Sequence, residues 1–158
     1  MADFTYENSV AEKGYRNIIG IDEVGRGCLA GPLVAGAVML DIVECDWLIK
    51  VNDSKKLSPK LRQELSVLIK SHAKTWGLGI IDSTELDRVG ITKATDLAMK
   101  QAIKALNINP DYLLIDYVSI NSWDHPYQLI KQGDSKSYSI AAASIIAKVY
   151  RDQVMIEE

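Results

Sequence analysis

A chain of 158 residues supports one domain with a single core and is too short for two ordinary domains. Its 47% hydrophobic and 25% charged residues, with no stretch near the roughly 20 apolar residues that a membrane span needs, indicate a soluble globular protein and not a membrane protein. The formal charge of −3 argues mildly against a protein coated in positive charge for gripping nucleic acid.

Residues 1–16 read as a polar lead without the basic start and apolar block of a secretory signal. Cys28 and Cys45 make no metal or disulfide framework, so a reducing cytoplasm is the expected location. Residues 17–24 read as a strand, and Pro32 to Leu40 as a second, joined through Gly25, Gly27 and Gly31. Glycines at such a turn let a ligand approach the backbone closely. Ser58-Pro59 is a helix cap followed by a first-turn proline, and Leu61, Leu65, Leu68, Ile69 and His72 recur at helical spacing.

Trp76 to Ile81 reads as a third strand, Ser83 to Val89 as a short helical turn, and Thr92 as the start of a helix with Ala94, Leu97, Ala98, Gln101, Ala102 and Ala105 on one face. Tyr112 to Ile115 is a compact buried strand running into Asp116, and Tyr127 to Lys131 another ahead of Gly133-Asp134. Ser139 begins a strongly apolar helix. Hairpins early and helices alternating with strands later indicate an α/β fold, a mixed sheet with helices on its faces. In open α/β sheets the carboxyl ends of strands collect ligands.

Against that pattern, Asp22 and Glu23 are out of place. They close the apolar run Ile18 to Ile21, where each would lose hydration on burial and repel the other. A divalent cation on hard oxygen ligands is the economical compensation, and Arg26 between two glycines points to an anionic substrate across the same spot. Asp116 and Asp134 arrive at further strand or turn ends, and four converging acids would hold two ions. Two metals roughly 3.5–4 Å apart activate a water on one side of a phosphodiester and stabilise the departing oxygen on the other. Covering those four acids would turn −3 into +1, so net charge does not exclude a nucleic-acid substrate.

Each feature also has a plainer reading. An isolated Asp at a strand end is more often a solvated turn residue or a helix cap than a ligand, and Asp134 lies near a helix start. Asn52-Asp53-Ser54-Lys55-Lys56 is either an ordinary polar loop or a donor of ammonium and backbone N–H groups to phosphates. His72 belongs to the apolar series of its helix and is expected to be structural. Trp47, Trp76 and Trp123 show no clustered spacing and are expected in core or rim packing.

Gly20-Ile21-Asp22-Glu23-Val24-Gly25-Arg26-Gly27 with Leu29-Ala30-Gly31-Pro32, then Asn52 to Leu57, Leu113 to Asp116, Lys131 to Lys136, and Ser139 to Val149 with Arg151-Asp152 follow one another in a recognisable order. Together they closely resemble bacterial ribonuclease HII over residues 17–155. The resemblance implies a ribonuclease H-like fold, a mixed five-stranded sheet with flanking helices, over residues 17–158. It implies an endonuclease dependent on Mg2+ or Mn2+, two ions expected, that cuts RNA paired with DNA and cuts 5′ to single ribonucleotides embedded in duplex DNA. Products would carry 5′-phosphate and 3′-hydroxyl ends.

Carried over by motif, Asp22, Glu23, Asp116 and Asp134 would be the catalytic metal ligands. Gly25, Arg26 and Gly27 would recognise the 2′-hydroxyl that distinguishes RNA from DNA. Lys55, Lys56, Ser135 and Lys136 would hold phosphates, and a monomer with no membrane partner is expected. Family members usually continue past the Arg-Asp motif into a segment whose Tyr lies at the RNA–DNA junction, whereas this chain stops at Glu158 and also carries Tyr117 where a small residue is common. A member that binds hybrid duplexes with little catalysis is therefore the alternative expectation. A phosphoacceptor signalling domain, which also uses an acidic pair after its first strand, leaves Gly25-Arg26-Gly27, Lys55-Lys56 and Asp134 without a task.

Overall fold

The computed structural model describes residues 1–26, 30–51, 54–116 and 124–157. In chain order these include α1 (Thr5–Glu12), β1 (Ile18–Val24), β2 (Leu33–Met39), α2 (Pro59–His72), β3 (Thr75–Ile81), α3 (Ser83–Val89), α4 (Ile91–Lys104), β4 (Tyr112–Asp116), β5 (Tyr127–Ile130) and α5 (Tyr138–Glu157). The strands form one five-stranded sheet in the order β3-β2-β1-β4-β5. Strands β1, β2 and β3 pair antiparallel, whereas β4 lies parallel to both β1 and β5. This is the mixed sheet with flanking helices expected from the sequence, and the reason is local. Strands β1 and β2 are joined by a short connection, whereas β3 is reached from β2 through α2, and β4 from β3 through α3 and α4.

Strand alternation sorts the core into two layers. Ile19, Ile21, Ala35, Ala37, Leu113 and Ile115 pack against Ala94, Ala98 and Ala102 of α4 on one face. On the other, Val38 joins Leu65 and Ile69 of α2 and Ala141, Ala142, Ile145 and Ile146 of α5. Gly20 of β1 permits a close approach, for a Cβ there would collide with the backbone of Ser139 and Ile140. The start of α5 is thereby pressed onto the middle strand.

Local chemistry sets the helix ends. Ser58 Oγ accepts the Leu61 N–H at 3.2 Å with Pro59 in the first turn, and Asp82 Oδ1 accepts the Glu85 N–H at 2.8 Å ahead of α3. Helices α4 and α5 each begin one residue earlier than expected, at Ile91 and Tyr138. His72 is exposed at the last turn of α2 instead of continuing its apolar series; its Nδ1 lies 2.9 Å from the Leu68 carbonyl and its ring 5.5 Å from Trp47. Trp47 and Trp76 pack at the rim of the core, and Trp123 lies outside the described residues. The polar lead holds a helix that sequence reading did not foresee: α1 buries Val10 and, beside it, Ala2 and Phe4.

Candidate metal centre and substrate cleft

Parallel pairing of β1 with β4 sets Ile21 opposite Ile115, so the next residues, Asp22 and Asp116, leave adjacent strand ends together. Asp22 shares a strand face with Gly20, the side on which α5 begins. The third acid arrives from a 3-10 turn, Gly133–Ser135, that follows β5 after Gln132 turns the chain at φ 54°. Asp134 donates its backbone N–H to Asp116 Oδ2 at 3.3 Å. One carboxylate oxygen each from Asp22, Asp116 and Asp134 lies within 4.8 Å of the others.

Asp22 is buried, and its Oδ1 accepts the Glu23 N–H at 2.8 Å. Burial, then the charges of Glu23, Asp116 and Asp134, push its carboxyl well above the usual range. Glu23 stands outside the 4.8 Å set. Burial raises it to about 7, against the pull of Arg26 and with the push of Asp116 and Asp134. Its Oε2 is buried with no hydrogen-bond partner among the described residues. An all-oxygen donor set in which Asp22 and Glu23 have raised proton affinity, with an orphaned Glu23 oxygen, fits a hard divalent cation, which would replace the protons and satisfy the idle lone pairs.

A cleft of about 360 Å³ adjoins the acids, lined by Glu23, Val24, Gly25, Arg26, Lys55, Lys148 and Arg151. Gly25 has φ 101°, and a Cβ there would sit 2.7 Å from the Pro32 carbonyl and 2.8 Å from Arg151 Nε. Only glycine fits this turn. Arg151, buried on α5, donates from Nε to Pro32 O and from a terminal nitrogen to Ala30 O, both at 2.8 Å. It thereby clamps the return of the glycine-rich turn. The cleft thus sets one acid among four cationic side chains, an arrangement that suits a metal-bridged polyanion.

Of the residues expected at the site, the structure assembles Asp22, Asp116 and Asp134, places Glu23 beside them, and puts Gly25, Arg26 and Lys55 in the adjoining cleft. Gly27 lies outside the described residues, as do Asn52 and Asp53. Lys56 and Lys136 are exposed and do not line the cleft, and Ser135 donates its hydroxyl to Gln132 O at 2.8 Å. Lys148 and Arg151 were not among the expected substrate contacts. Their spacing of three on a helix places both on one face. Lys148 Nζ lies 3.0 Å from Asp152.

The family model described as Ribonuclease HII matches residues 19–158. The Ribonuclease HII of Geotalea uraniireducens (strain Rf4) is 54% identical over 153 residues, covering 96% of this chain and 69% of that protein. The Ribonuclease HII of Dehalococcoides mccartyi (strain ATCC BAA-2266 / KCTC 15142 / 195) is 47% identical over 152 residues, covering 96% of this chain and 72% of its relative. Among solved structures, the ribonuclease H2 from Pyrococcus horikoshii OT3 superposes with a TM-score of 0.77 at 26% identity, over 89% of this chain and 74% of that one.

Proposed function

The chain belongs to the ribonuclease HII family of endoribonucleases, and from that premise we propose that it hydrolyses the RNA strand of RNA/DNA hybrids and cuts 5′ to ribonucleotides embedded in duplex DNA. The products are a 5′-phosphate and a 3′-hydroxyl. One observation carries the reading: three carboxylates from separate segments meet within 4.8 Å, beside a cleft bearing Arg26 and Lys55.

In this reading Asp22, Glu23, Asp116 and Asp134 hold two divalent ions, Mg2+ or Mn2+. Bound there, such ions supply an activated water and charge stabilisation for the departing oxygen of a phosphodiester. The remaining tasks belong to the chain. Asp22 and Glu23, whose carboxyls sit above the usual range when no cation is bound, give up protons as a cation arrives. Gly25, Arg26 and Gly27 present backbone and guanidinium groups to the ribose 2′-hydroxyl, which a deoxyribose cannot return. Lys55, Lys56, Ser135 and Lys136 supply phosphate contacts, which set register without reading sequence. The protein acts as a cytoplasmic monomer. No helix among the described residues is long and apolar enough to cross a membrane.

The test is cleavage of four substrates, with Mg2+ or Mn2+, by the wild-type chain and Asp116→Asn: a DNA duplex holding one ribonucleotide, an all-RNA/DNA hybrid, an all-DNA duplex and single-stranded RNA. Cutting on the 5′ side of the lone ribonucleotide and within the hybrid, by the wild-type chain alone, is expected. Binding of hybrid without any cutting would replace the hydrolytic reading with that of a hybrid-binding protein.

A further inference from the structure

Glu7 of α1 is 1% exposed, and neither the acidic centre nor the cleft uses it. Its Oε2 accepts the Ser137 hydroxyl and the Ser139 N–H, both at 3.0 Å, and Ser137 Oγ in turn accepts the Ile140 N–H at 3.2 Å. A carboxylate from elsewhere in the chain thus serves the unpaired donors at the start of α5, where the helix dipole favours negative charge. Its second oxygen, Oε1, is buried without a partner among the described residues, and burial raises the carboxyl's proton affinity. Such a group weakens the fold unless its geometry is needed.

What that geometry holds is the segment carrying Asp134. Ser137 N–H donates to Gly133 O at 2.8 Å, closing the turn that contains Asp134. Asp3 clasps the same segment from outside, its N–H donating to Lys136 O at 3.2 Å and its carbonyl accepting the Tyr138 N–H at 3.0 Å. Phe4 packs edge-on against Tyr138 with ring centroids 4.8 Å apart. The contacts of residues 3–7 therefore converge on residues 136–139, one turn from an acid of the metal centre.

We propose that Glu7 is a positioning residue: through Ser137 and Ser139 it fixes the turn that presents Asp134 to the metal centre. The assignment rests on the metal-dependent reading above. Partners that orient a ligand from outside the coordination sphere typically contribute 10–100-fold to metal affinity, so roughly a tenfold loss is expected when Glu7 is removed.

Mn2+ binding to the full chain, followed by calorimetry in the absence of nucleic acid, tests this alongside the metal dependence of hybrid cleavage. Glu7→Ala and Ser137→Ala are each expected to weaken Mn2+ binding by about tenfold and to raise the metal concentration for half-maximal cleavage equally, with hybrid KM nearly unchanged at saturating metal. Glu7→Gln, which keeps an acceptor oxygen, is expected to retain most of the affinity. Leu65→Ala, a core truncation in α2, controls for destabilisation and should leave Mn2+ affinity unaltered in the folded protein. Unchanged Mn2+ affinity in folded Glu7→Gln, Glu7→Ala and Ser137→Ala, beside a wild-type chain that binds and cuts, would overturn the positioning role alone. A wild-type chain that neither binds Mn2+ nor cuts would overturn the metal-dependent reading and this role with it.

Discussion

The backbone N–H of Asp134 points at the carboxylate of Asp116, 3.3 Å away, so one acid of the cluster orients another before any cation arrives. Asparagine at position 116 keeps an acceptor for that bond and loses only the charge. Asp116→Asn should therefore fold normally, bind hybrid within a few-fold of wild type, and cut on the order of a thousandfold more slowly, because several kcal/mol of metal-mediated stabilisation are lost. Single-turnover cleavage and hybrid binding measured on the same preparation check this; equal losses in both would argue against a role in chemistry.

The crowding of Asp22 and Glu23 makes metal-free stability depend on pH with a definite sign. Burial and like charges raise both carboxyls above their ordinary values, Glu23 to about 7. Between the ordinary carboxylate range and that value, the folded chain holds protons that the unfolded chain has released, so raising the pH disfavours the fold. In EDTA, the Tm should fall from about pH 5 to about pH 8. A divalent cation should raise Tm more at pH 8 than at pH 5, where it competes with protons. Thermal melts at both pH values, with and without Mn2+, decide; a metal-free Tm that climbs across this window would contradict the carboxylate cluster as the source.

Arg26 is exposed in the cleft, and its charge lowers the proton affinity of Glu23. Arg26→Ala should loosen discrimination between ribose and deoxyribose by about tenfold, the worth of one hydrogen bond to a charged group. The ratio of hybrid to all-DNA affinity gives the answer. An unaltered ratio would assign Arg26 to phosphate or to Glu23 alone.

Gly20 contributes no side chain, yet the position of α5 depends on it. A methyl group there meets the backbone of Ser139 and Ile140, which cannot yield as a flexible side chain would. Gly20→Ala should lower stability by roughly 1–3 kcal/mol, the usual effect of overpacking, and should also weaken Mn2+ binding because the displaced helix start follows the Asp134 turn. Denaturant melts and calorimetry would show the two losses together; destabilisation with intact metal affinity would mean that the turn is independent of α5.

Much of this was legible in the residues because the strongest signals coincide with the site. Apolar runs that end in acid identified β1, β4 and the cluster at their carboxyl ends, since a buried strand cannot finish on carboxylates without a purpose. The capping pair Ser58-Pro59 gave α2 its start. What stayed hidden depends on tertiary contact. Helix α1 has few apolar residues, and only tertiary contact gives Ala2 and Phe4 a core beside Tyr138, and Val10 one beside Ile18, Leu114 and Ile140. Glu7 sits in the polar lead, and burial of a carboxylate leaves no mark on its neighbours in sequence. Gly20 and Gly36 read as strand residues, and only the structure shows that both receive α5.

The pairing of Ile21 with Ile115 carries a further implication. Strand side chains alternate, so a slip of β4 by a single residue would turn Asp116 to the opposite side of the sheet. Any cation that bridges Asp22 and Asp116 thus binds one alignment of β1 and β4 and none of its neighbours. Ions of this kind would act as a proofreader of folding: a chain still misaligned, or opened at β4, would present no assembled set of carboxylates to them until the correct alignment forms.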